Sequence, residues 1–359
     1  MIEHHTPHSP RESQPSQAPI PHWPGEIVNV AGGSRLFVRH VPEFTHATPV
    51  QETPAGNGNG RGDEGGRVRA EPALCVHGLG GSSRNWTDLM DVLRPRLVAA
   101  ALDLPGYGES PPRPDGKYSI TAMAKTVTEL IEALGNGPVH LIGNSMGGAV
   151  AVRAAAKRPD LVRSLTLVSP ALPDSKPRMD LLRFPVVSIP KLGEHLVGKY
   201  LAFPVEQRVA DTLQTIYHDV SQVGPERFAI EVAAEAARDS MPYATKALIG
   251  SMRALTAEQL FRHGPRSPWR EAATIQVPVL AIYGTGDKLV RAQMASRARR
   301  TFLNGQTVTL KDTGHVAMME RPATVAGLIG QMLDGNDRHP AAVDADERTA
   351  GKPTRVKSR

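Results

Sequence analysis

The 359-residue sequence has a single cysteine, Cys75, and lacks any long run of apolar residues. One cysteine excludes a disulfide framework within the chain, and its apolar neighbours in 73–76 predict a small buried side chain. Because no run approaches the roughly 20 apolar residues of a membrane span, we expect no stable insertion into a membrane. Residues 1–24 also lack the basic and apolar segments of a secretory signal peptide, so we expect a cytoplasmic location.

Basic charge is not concentrated within the body of the chain. The formal net charge is +6, and four basic residues crowd into the last eight positions. A solvated basic tail is typical of this pattern, so we expect no nucleic-acid partner. The hydrophobic content of 40% and the charged content of 22% are those of a globular protein with a buried core.

Three segments are predicted to lie outside the packed core. Residues 1–24 are rich in Pro, Ser, Gln and His, which predicts a disordered leader. Residues 45–69 are rich in glycine, which predicts a flexible insertion between strands. Residues 334–359 are polar and charged, which predicts a disordered C-terminal tail.

Between these segments, short apolar runs alternate with helical patterns. The predicted strands are 74–76, 97–102, 139–143, 165–168, 279–283 and 307–310, and the predicted helices are 86–93, 120–134, 146–158, 292–301 and 323–333. Such alternation predicts an α/β fold with a mostly parallel sheet flanked by helices. Residues 26–30 and 35–40 predict an antiparallel hairpin that starts the sheet.

One long region, residues 171–269, interrupts the alternation with helical patterns and few strand signals. About a hundred residues are too many for a simple crossover between strands, so we predict a helical cap inserted over the sheet. The core is then divided into a first part, 25–170, and a second part, 270–333.

Gly143, Ser145 and Gly147 form the pattern G-x-S-x-G between a predicted strand and a predicted helix. In this context the serine occupies a sharp turn that exposes its hydroxyl, and the two glycines let the strand and the helix approach closely. The N-terminus of the helix adds partial positive charge beside the hydroxyl. We therefore predict that Ser145 is a nucleophile supported by both glycines.

A serine nucleophile needs a base, and the base needs an acid to orient it. Asp287 and His315 each follow a predicted strand, in that order along the chain. The carboxyl ends of parallel strands share one edge of the sheet, where Ser145 also lies. We predict His315 as the general base and Asp287 as its orienting acid. Asp312 is the second candidate acid, and Asp103 is assigned a structural role.

The loop after the first predicted parallel strand begins with His77, Gly78 and Leu79. An oxyanion hole needs one donor from this loop and one from the residue after the nucleophile. We predict the backbone N–H groups of Leu79 and Met146. His77 and Gly78 are predicted to support the loop, and His140 is predicted to be a packed side chain within a strand.

Five motifs, taken together in this order, resemble those of the α/β-hydrolase superfamily. They are residues 77–80, 103–110, 143–148, 284–287, and 314–315 with 320–322. The resemblance covers about 26–333. It implies the α/β-hydrolase fold, a Ser-Asp-His triad and a helical cap domain.

Within that superfamily, the sequence Gly-Asn-Ser-Met-Gly-Gly at 143–148 resembles the carbon–carbon bond hydrolases of ring-cleavage products. Val316 stands where those enzymes usually carry Trp, and the loop after His77 lacks their Gly-Pro-Gly pattern. An ester or thioester is therefore the better substrate prediction. Serine rather than aspartate at 145 argues against epoxide hydrolases and haloalkane dehalogenases.

The predicted function is a serine hydrolase that cleaves an ester or thioester of a small, largely apolar substrate through an acyl-enzyme. We expect neither a metal nor an organic cofactor. Three alternatives stay open: a carbon–carbon bond hydrolase, a cofactor-free peroxidase or acyltransferase on the same triad, and a non-catalytic ligand-binding protein on a hydrolase scaffold.

Overall fold

The structure is a computed structural model that describes residues 23–44, 70–174, 183–260 and 267–335. The predicted glycine-rich insertion lies outside these residues, as do almost all of the predicted leader and most of the predicted C-terminal tail.

The described residues form eight strands: β1 (Gly25–Asn29), β2 (Arg35–His40), β3 (Glu71–Val76), β4 (Leu97–Leu102), β5 (Val139–Asn144), β6 (Val162–Val168), β7 (Val279–Gly284) and β8 (Gly305–Leu310). They make one sheet in the order β1-β2-β4-β3-β5-β6-β7-β8. The first two pairings, β1 with β2 and β2 with β4, are antiparallel, and the others are parallel. The predictions of a mostly parallel sheet and of a starting hairpin are confirmed.

Twelve α-helices occur in the same described ranges: α1 (Thr87–Leu93), α2 (Ile120–Leu134), α3 (Met146–Lys157), α4 (Arg183–Val187), α5 (Leu192–Leu201), α6 (Val205–Ile216), α7 (Pro225–Asp239), α8 (Ala244–Leu260), α9 (Pro268–Ala272), α10 (Met294–Thr301), α11 (Ala317–Glu320) and α12 (Pro322–Leu333). Helix α2 begins where Ser119 accepts a hydrogen bond from the backbone N–H of Ala122, and it ends at Gly135, which has a positive φ of 70°.

The core lies around the central strands. All six residues of β5 and all six of β7 are buried, because each strand has a strand on both sides and helices cover the sheet. The neighbouring strand β3 carries Cys75, whose side chain is fully buried. Burial raises the pKa of its thiol, so this cysteine behaves as a small core residue, as the sequence predicts.

A helical insert lies between β6 and β7, as predicted. We call helices α4 to α8 the cap. The domain boundaries 171–269 for this insert stay a prediction. Among the described helices, none is both long enough and apolar enough to span a membrane.

Candidate active site

Ser145 occupies the turn between β5 and α3, with φ 52° and ψ −119°. A positive φ is strained for a residue with a side chain, so neighbouring bonds must hold it. The Ser145 N–H donates to the carbonyl of Val168 at 3.0 Å, and the Ser145 carbonyl accepts from Ala171 at 2.9 Å. These bonds fix the strained turn to the end of β6.

The glycines of this turn lie in close backbone contacts. A Cβ on Gly147 would lie 2.1 Å from the carbonyl oxygen of Val76, and a Cβ on Gly143 would lie 2.6 Å from that of Gly147. A Cβ on Gly78 would lie 3.0 Å from the Cβ of Ser145. A larger residue at 143 or 147 would therefore push the turn away from its neighbours.

His315 and Asp287 form a buried hydrogen-bonded pair. The Nδ1 of His315 lies 2.9 Å from Oδ2 of Asp287, while the N–H groups of Leu289 and Val290 donate to Oδ1 at 2.8 and 2.9 Å. Burial raises the pKa of Asp287, but the charge of His315 and these hydrogen bonds outweigh it and hold that pKa below its usual value. The carboxyl group is therefore ionised at neutral pH and orients the imidazole.

The other candidate residues have different surroundings. The side chain of Asp312 is 61% exposed and approaches the Nε2 of His218 at 4.0 Å, so the structure places Asp287 rather than Asp312 against His315. Asp103 accepts backbone N–H bonds from Ser83 and Glu109, in keeping with a structural assignment. His140 binds Ser164 and Glu71 at the opposite end of β5 from the serine turn.

Both ring nitrogens of His77 are hydrogen-bonded, one within the loop after β3 and one to the loop after β4. Nδ1 donates to the carbonyl of Gly78 at 2.7 Å, and Nε2 accepts from the N–H of Leu104 at 2.9 Å. Burial lowers the pKa of His77, so its imidazole is neutral. The Gly78 carbonyl also accepts from Gly81 at 3.2 Å, which closes a turn that does not use the N–H of Leu79.

The N–H of Met146 lies in the first turn of α3, where backbone N–H groups have no acceptor within the helix. Leu79 lines the same cavity as Ser145 and His315. The two predicted oxyanion donors thus come from the loop after β3 and from the first turn of α3, which meet at the Ser145 turn, where a Cβ on Gly78 would touch Ser145.

Two buried polar residues near the site have partners that sequence reasoning missed. Asn144 donates from Nδ2 to the carbonyls of Val168 and His315, both at 3.0 Å. Glu320, at the end of α11, accepts backbone N–H bonds on both sides of its carboxylate, from Gly314 and from His218. Both residues belong to motifs visible in the sequence, but no sequence pattern indicates which distant backbone groups they bind.

A cavity of about 1630 Å³ opens above these residues, between the sheet edge and the cap. Its floor includes Ser145, His315 and Leu79. Apolar cap side chains form much of the rest: Val186, Ile189, Leu196, Val197, Val209, Leu213, Ile216, Leu248, Met252 and Leu255. This volume exceeds the roughly 300–1,000 Å³ of ordinary ligand pockets.

Residues 72–322 match the model of a protein family described as the alpha/beta hydrolase fold. The chain belongs to this α/β-hydrolase family. A relative is the dihydrolipoyllysine-residue acetyltransferase component of the acetoin cleaving system of Cupriavidus necator, which is 29% identical over 271 residues. The match covers 74% of this chain and 64% of that protein, so the chain spans less than two thirds of that relative's length.

Lipase 1 of Psychrobacter immobilis is 28% identical over 266 residues, which cover 72% of this chain and 75% of the lipase. Among solved structures, a meta-cleavage product hydrolase from Pseudomonas fluorescens IP01 superposes with a TM-score of 0.61. It is 16% identical, and the superposition covers 87% of this chain and 98% of that chain. This likeness shows the fold alone.

In this member of the α/β-hydrolase family, the cap contacts three loops of the candidate site. Arg238 on α7 donates to the carbonyl of Gly80 at 2.8 Å, next to Leu79. Lys288, which follows Asp287, donates to the carbonyl of Gln214 on α6. The N–H of His315 donates to the carbonyl of Ile216 at 2.7 Å. The position of the cap is therefore linked to the geometry of the site.

Proposed function

We propose that the chain is a serine hydrolase that cleaves carboxylic esters or thioesters through an acyl-enzyme on Ser145. The observation that carries the proposal is the 2.9 Å hydrogen bond between His315 and Asp287, made at the edge of the cavity that Ser145 also lines. With Nδ1 held by the carboxylate, Nε2 is the nitrogen left for proton exchange with the serine.

In the acylation step, Nε2 of His315 takes the proton of Ser145 Oγ as this oxygen attacks the carbonyl carbon of the substrate. The carbonyl oxygen becomes an oxyanion, which the N–H groups of Leu79 and Met146 stabilise. The imidazolium, stabilised by the Asp287 carboxylate, then gives its proton to the leaving alcohol or thiol as the bond to the acyl carbon breaks.

Deacylation repeats the same proton transfers with water. His315 removes a proton from water, and the resulting hydroxide attacks the acyl carbon of the Ser145 ester. The second oxyanion collapses, Ser145 Oγ regains a proton from His315, and a carboxylic acid leaves. Atoms and charge balance without a metal or an organic cofactor.

The cavity supports an apolar acyl group larger than the small substrate expected from the sequence. Apolar side chains of α5, α6 and α8 line it, and its volume of about 1630 Å³ leaves room for a long or branched chain. The relative from Psychrobacter immobilis is named a lipase, which agrees with such a substrate.

A fluorophosphonate probe tests the nucleophile. We expect covalent labelling of Ser145 in the wild-type protein, found by peptide mass spectrometry. Ser145→Ala should abolish labelling and lower ester turnover by about 10³-fold or more, as loss of a triad member does.

The matched control is Ser251→Ala, at a fully buried serine of α8 that does not line the cavity. This variant should keep both labelling and turnover. A folded wild-type protein that takes up no probe at Ser145 would refute the proposed nucleophile.

Acyl transfer to an acceptor other than water is the second candidate. It is favoured by the name of the Cupriavidus necator relative, an acetyltransferase component. Supplying one p-nitrophenyl ester with water alone, with an alcohol and with a thiol separates hydrolysis from transfer. A ring-cleavage dienoate in the same panel tests carbon–carbon bond cleavage, which the sequence at 143–148 resembles.

A further inference from the structure

The turn that carries His315 is held by one buried carboxylate and by two residues at the end of cap helix α6. Oε1 of Glu320 accepts the N–H of Gly314 at 2.8 Å, and Oε2 accepts the N–H of His218 at 3.0 Å. The N–H of His315 itself donates to the carbonyl of Ile216 at 2.7 Å. Three hydrogen bonds thus connect the histidine turn with the end of α6: two pass through the Glu320 carboxylate, and one is a direct backbone bond.

The contact leaves no spare room at Gly314. A Cβ there would lie 2.5 Å from both the carbonyl oxygen of Ile216 and the nitrogen of His218, and 2.6 Å from Oε1 of Glu320. These distances are shorter than any real Cβ contact, so the backbone of the histidine turn packs directly against the end of α6 and leaves no room for a side chain at 314.

Glu320 makes these hydrogen bonds without lining the cavity. Glu320 is only 8% exposed and is not among the residues that line the cavity, whereas Ile216 is. Burial raises the pKa of Glu320, while the N–H groups of His218 and Gly314 and nearby positive charge partly offset that rise. The chain has therefore placed a costly buried carboxyl group at a point where its hydrogen bonds hold backbone rather than ligand.

We propose that Glu320 is a positioning residue that locks the His315 turn to the end of cap helix α6, so that the base is in place when the cap is docked. The inference rests on the proposed serine-hydrolase function. Helix α6 forms part of the cavity wall, so a substrate that packs on the cap also packs on the element that holds the base.

Glu320→Gln tests the proposal, because the amide keeps the shape of the side chain but turns an NH₂ group toward one of the two N–H donors. We expect kcat to fall by about 10- to 100-fold through misplacement of the base. KM should stay within about twofold, because no cavity residue changes. The rate of fluorophosphonate labelling at Ser145 should fall by about the same factor as kcat, because it also depends on the base.

The matched control is Glu129→Gln on α2, since Glu129 is also 8% exposed but lies in an element away from the cavity. It should leave kcat within about twofold of wild type even if its melting temperature drops. Glu320→Asp keeps the charge but shortens the reach, so its kcat should fall between those of wild type and Glu320→Gln. A Glu320→Gln variant with wild-type kcat and labelling rate would overturn the proposal, as would a loss no greater than that of the Glu129 control.

Hydrogen exchange on the wild-type protein gives a readout that does not depend on folding of a variant. The amides of Gly314, His315 and His218 should exchange together, about 10-fold or more slowly than unpaired loop amides. Exchange of these three amides at the rate of open loops would mean that the lock does not form. Failure of the proposed function is distinct, because it would appear as a wild-type protein that is not labelled at Ser145.

Discussion

The sheet and cap helix α7 are held in place by different interactions. In β5 and β7 every residue is buried, and apolar side chains fill the space between strand and helix. In the fifteen residues of α7, only Arg227 is buried. The core is therefore stabilised by apolar burial, whereas the apolar side chains of α7, such as Phe228 and Val232, are only partly buried.

Polar contacts compensate around α7, whereas α6 and α8 also place Val209, Leu213 and Ala247 in the apolar core. Arg227 pairs with Asp88 on α1, Arg238 binds the carbonyl of Gly80, and Arg153 on α3 pairs with Glu258 on α8 at 2.7 Å. A region held in this way is sensitive to single charges, and it can shift while the sheet stays intact. We therefore expect α7 to open more easily than the sheet.

The largest contrast should come from the same substitution, glycine to alanine, made once in each region. In the core, Gly147→Ala forces a Cβ to within 2.1 Å of the Val76 carbonyl oxygen, so it should cost about 3 kcal/mol or more and remove most activity. In the cap, a Cβ on Gly198 of α5 meets nothing within 4 Å, so Gly198→Ala should stabilise the helix by about 0.5–1 kcal/mol.

Urea unfolding and ester turnover of the two variants provide the measurement. Equal effects of the two substitutions would contradict the contrast between a close-packed core and an open cap surface.

An intermediate effect is expected from Arg227→Met, which leaves the carboxylate of Asp88 without its main partner. The two side chains are 9% and 16% exposed, so we expect α7 to open more easily by about 2 kcal/mol, measured by hydrogen exchange. Protection of β5 should not change. Adding Asp88→Leu should recover part of the loss, since the unpaired charge is then gone. A drop in β5 protection equal to that in α7 would show that the two regions unfold as one unit.

The smallest expected effect is on the pH dependence of stability, which should differ between a carboxyl group of the cap, Glu231, and one beside the sheet, Asp287. Burial raises the pKa of Glu231 on α7, although the charge of Arg227 opposes it, whereas the pKa of Asp287 is lowered by its partners. The contribution of Glu231 to stability is full below its usual pKa and is lost as the pH rises through its raised value. That of Asp287 is present above its usual pKa and is lost as the pH falls.

Glu231→Gln should therefore match wild type in melting temperature near about pH 4 and exceed it by about 2 °C near about pH 8. Asp287→Asn should melt below wild type near about pH 8. Differential scanning fluorimetry at both pH values checks the two signs. A Glu231→Gln variant that melts below wild type at the higher pH would contradict the expected burial cost.

The sheet was more predictable from the sequence than the cap, because apolar burial leaves a pattern in the sequence and polar contacts between distant residues do not. The predicted bounds 97–102 and 120–134 agree with β4 and α2, because a buried strand is a short continuous apolar run and an amphipathic helix repeats its apolar residues with the period of the helix. Ser145, Asp287 and His315 were predicted from their positions after parallel strands, and the strand order brings those strand ends to one edge. Their catalytic roles stay a prediction.

Interactions that depend on tertiary packing were not predictable. The sequence contains Glu320 in a motif, but its binding to the N–H of His218 joins residues 102 positions apart. The Arg227–Asp88 pair is likewise separated by 139 positions, and charges at a cap interface look like those of a solvated helix face. The four-residue helix α11 is too short to show a period.

Cys75 lies in β3 between β4 and β5, with no exposed surface and a raised thiol pKa. It is the one cysteine of the chain, so thiol reagents have no accessible target there while the sheet is folded. A cysteine introduced at an exposed cap position, such as Leu260, would then react selectively without removal of the native thiol. A fluorophore attached at that position would report cap movement from a single, known site.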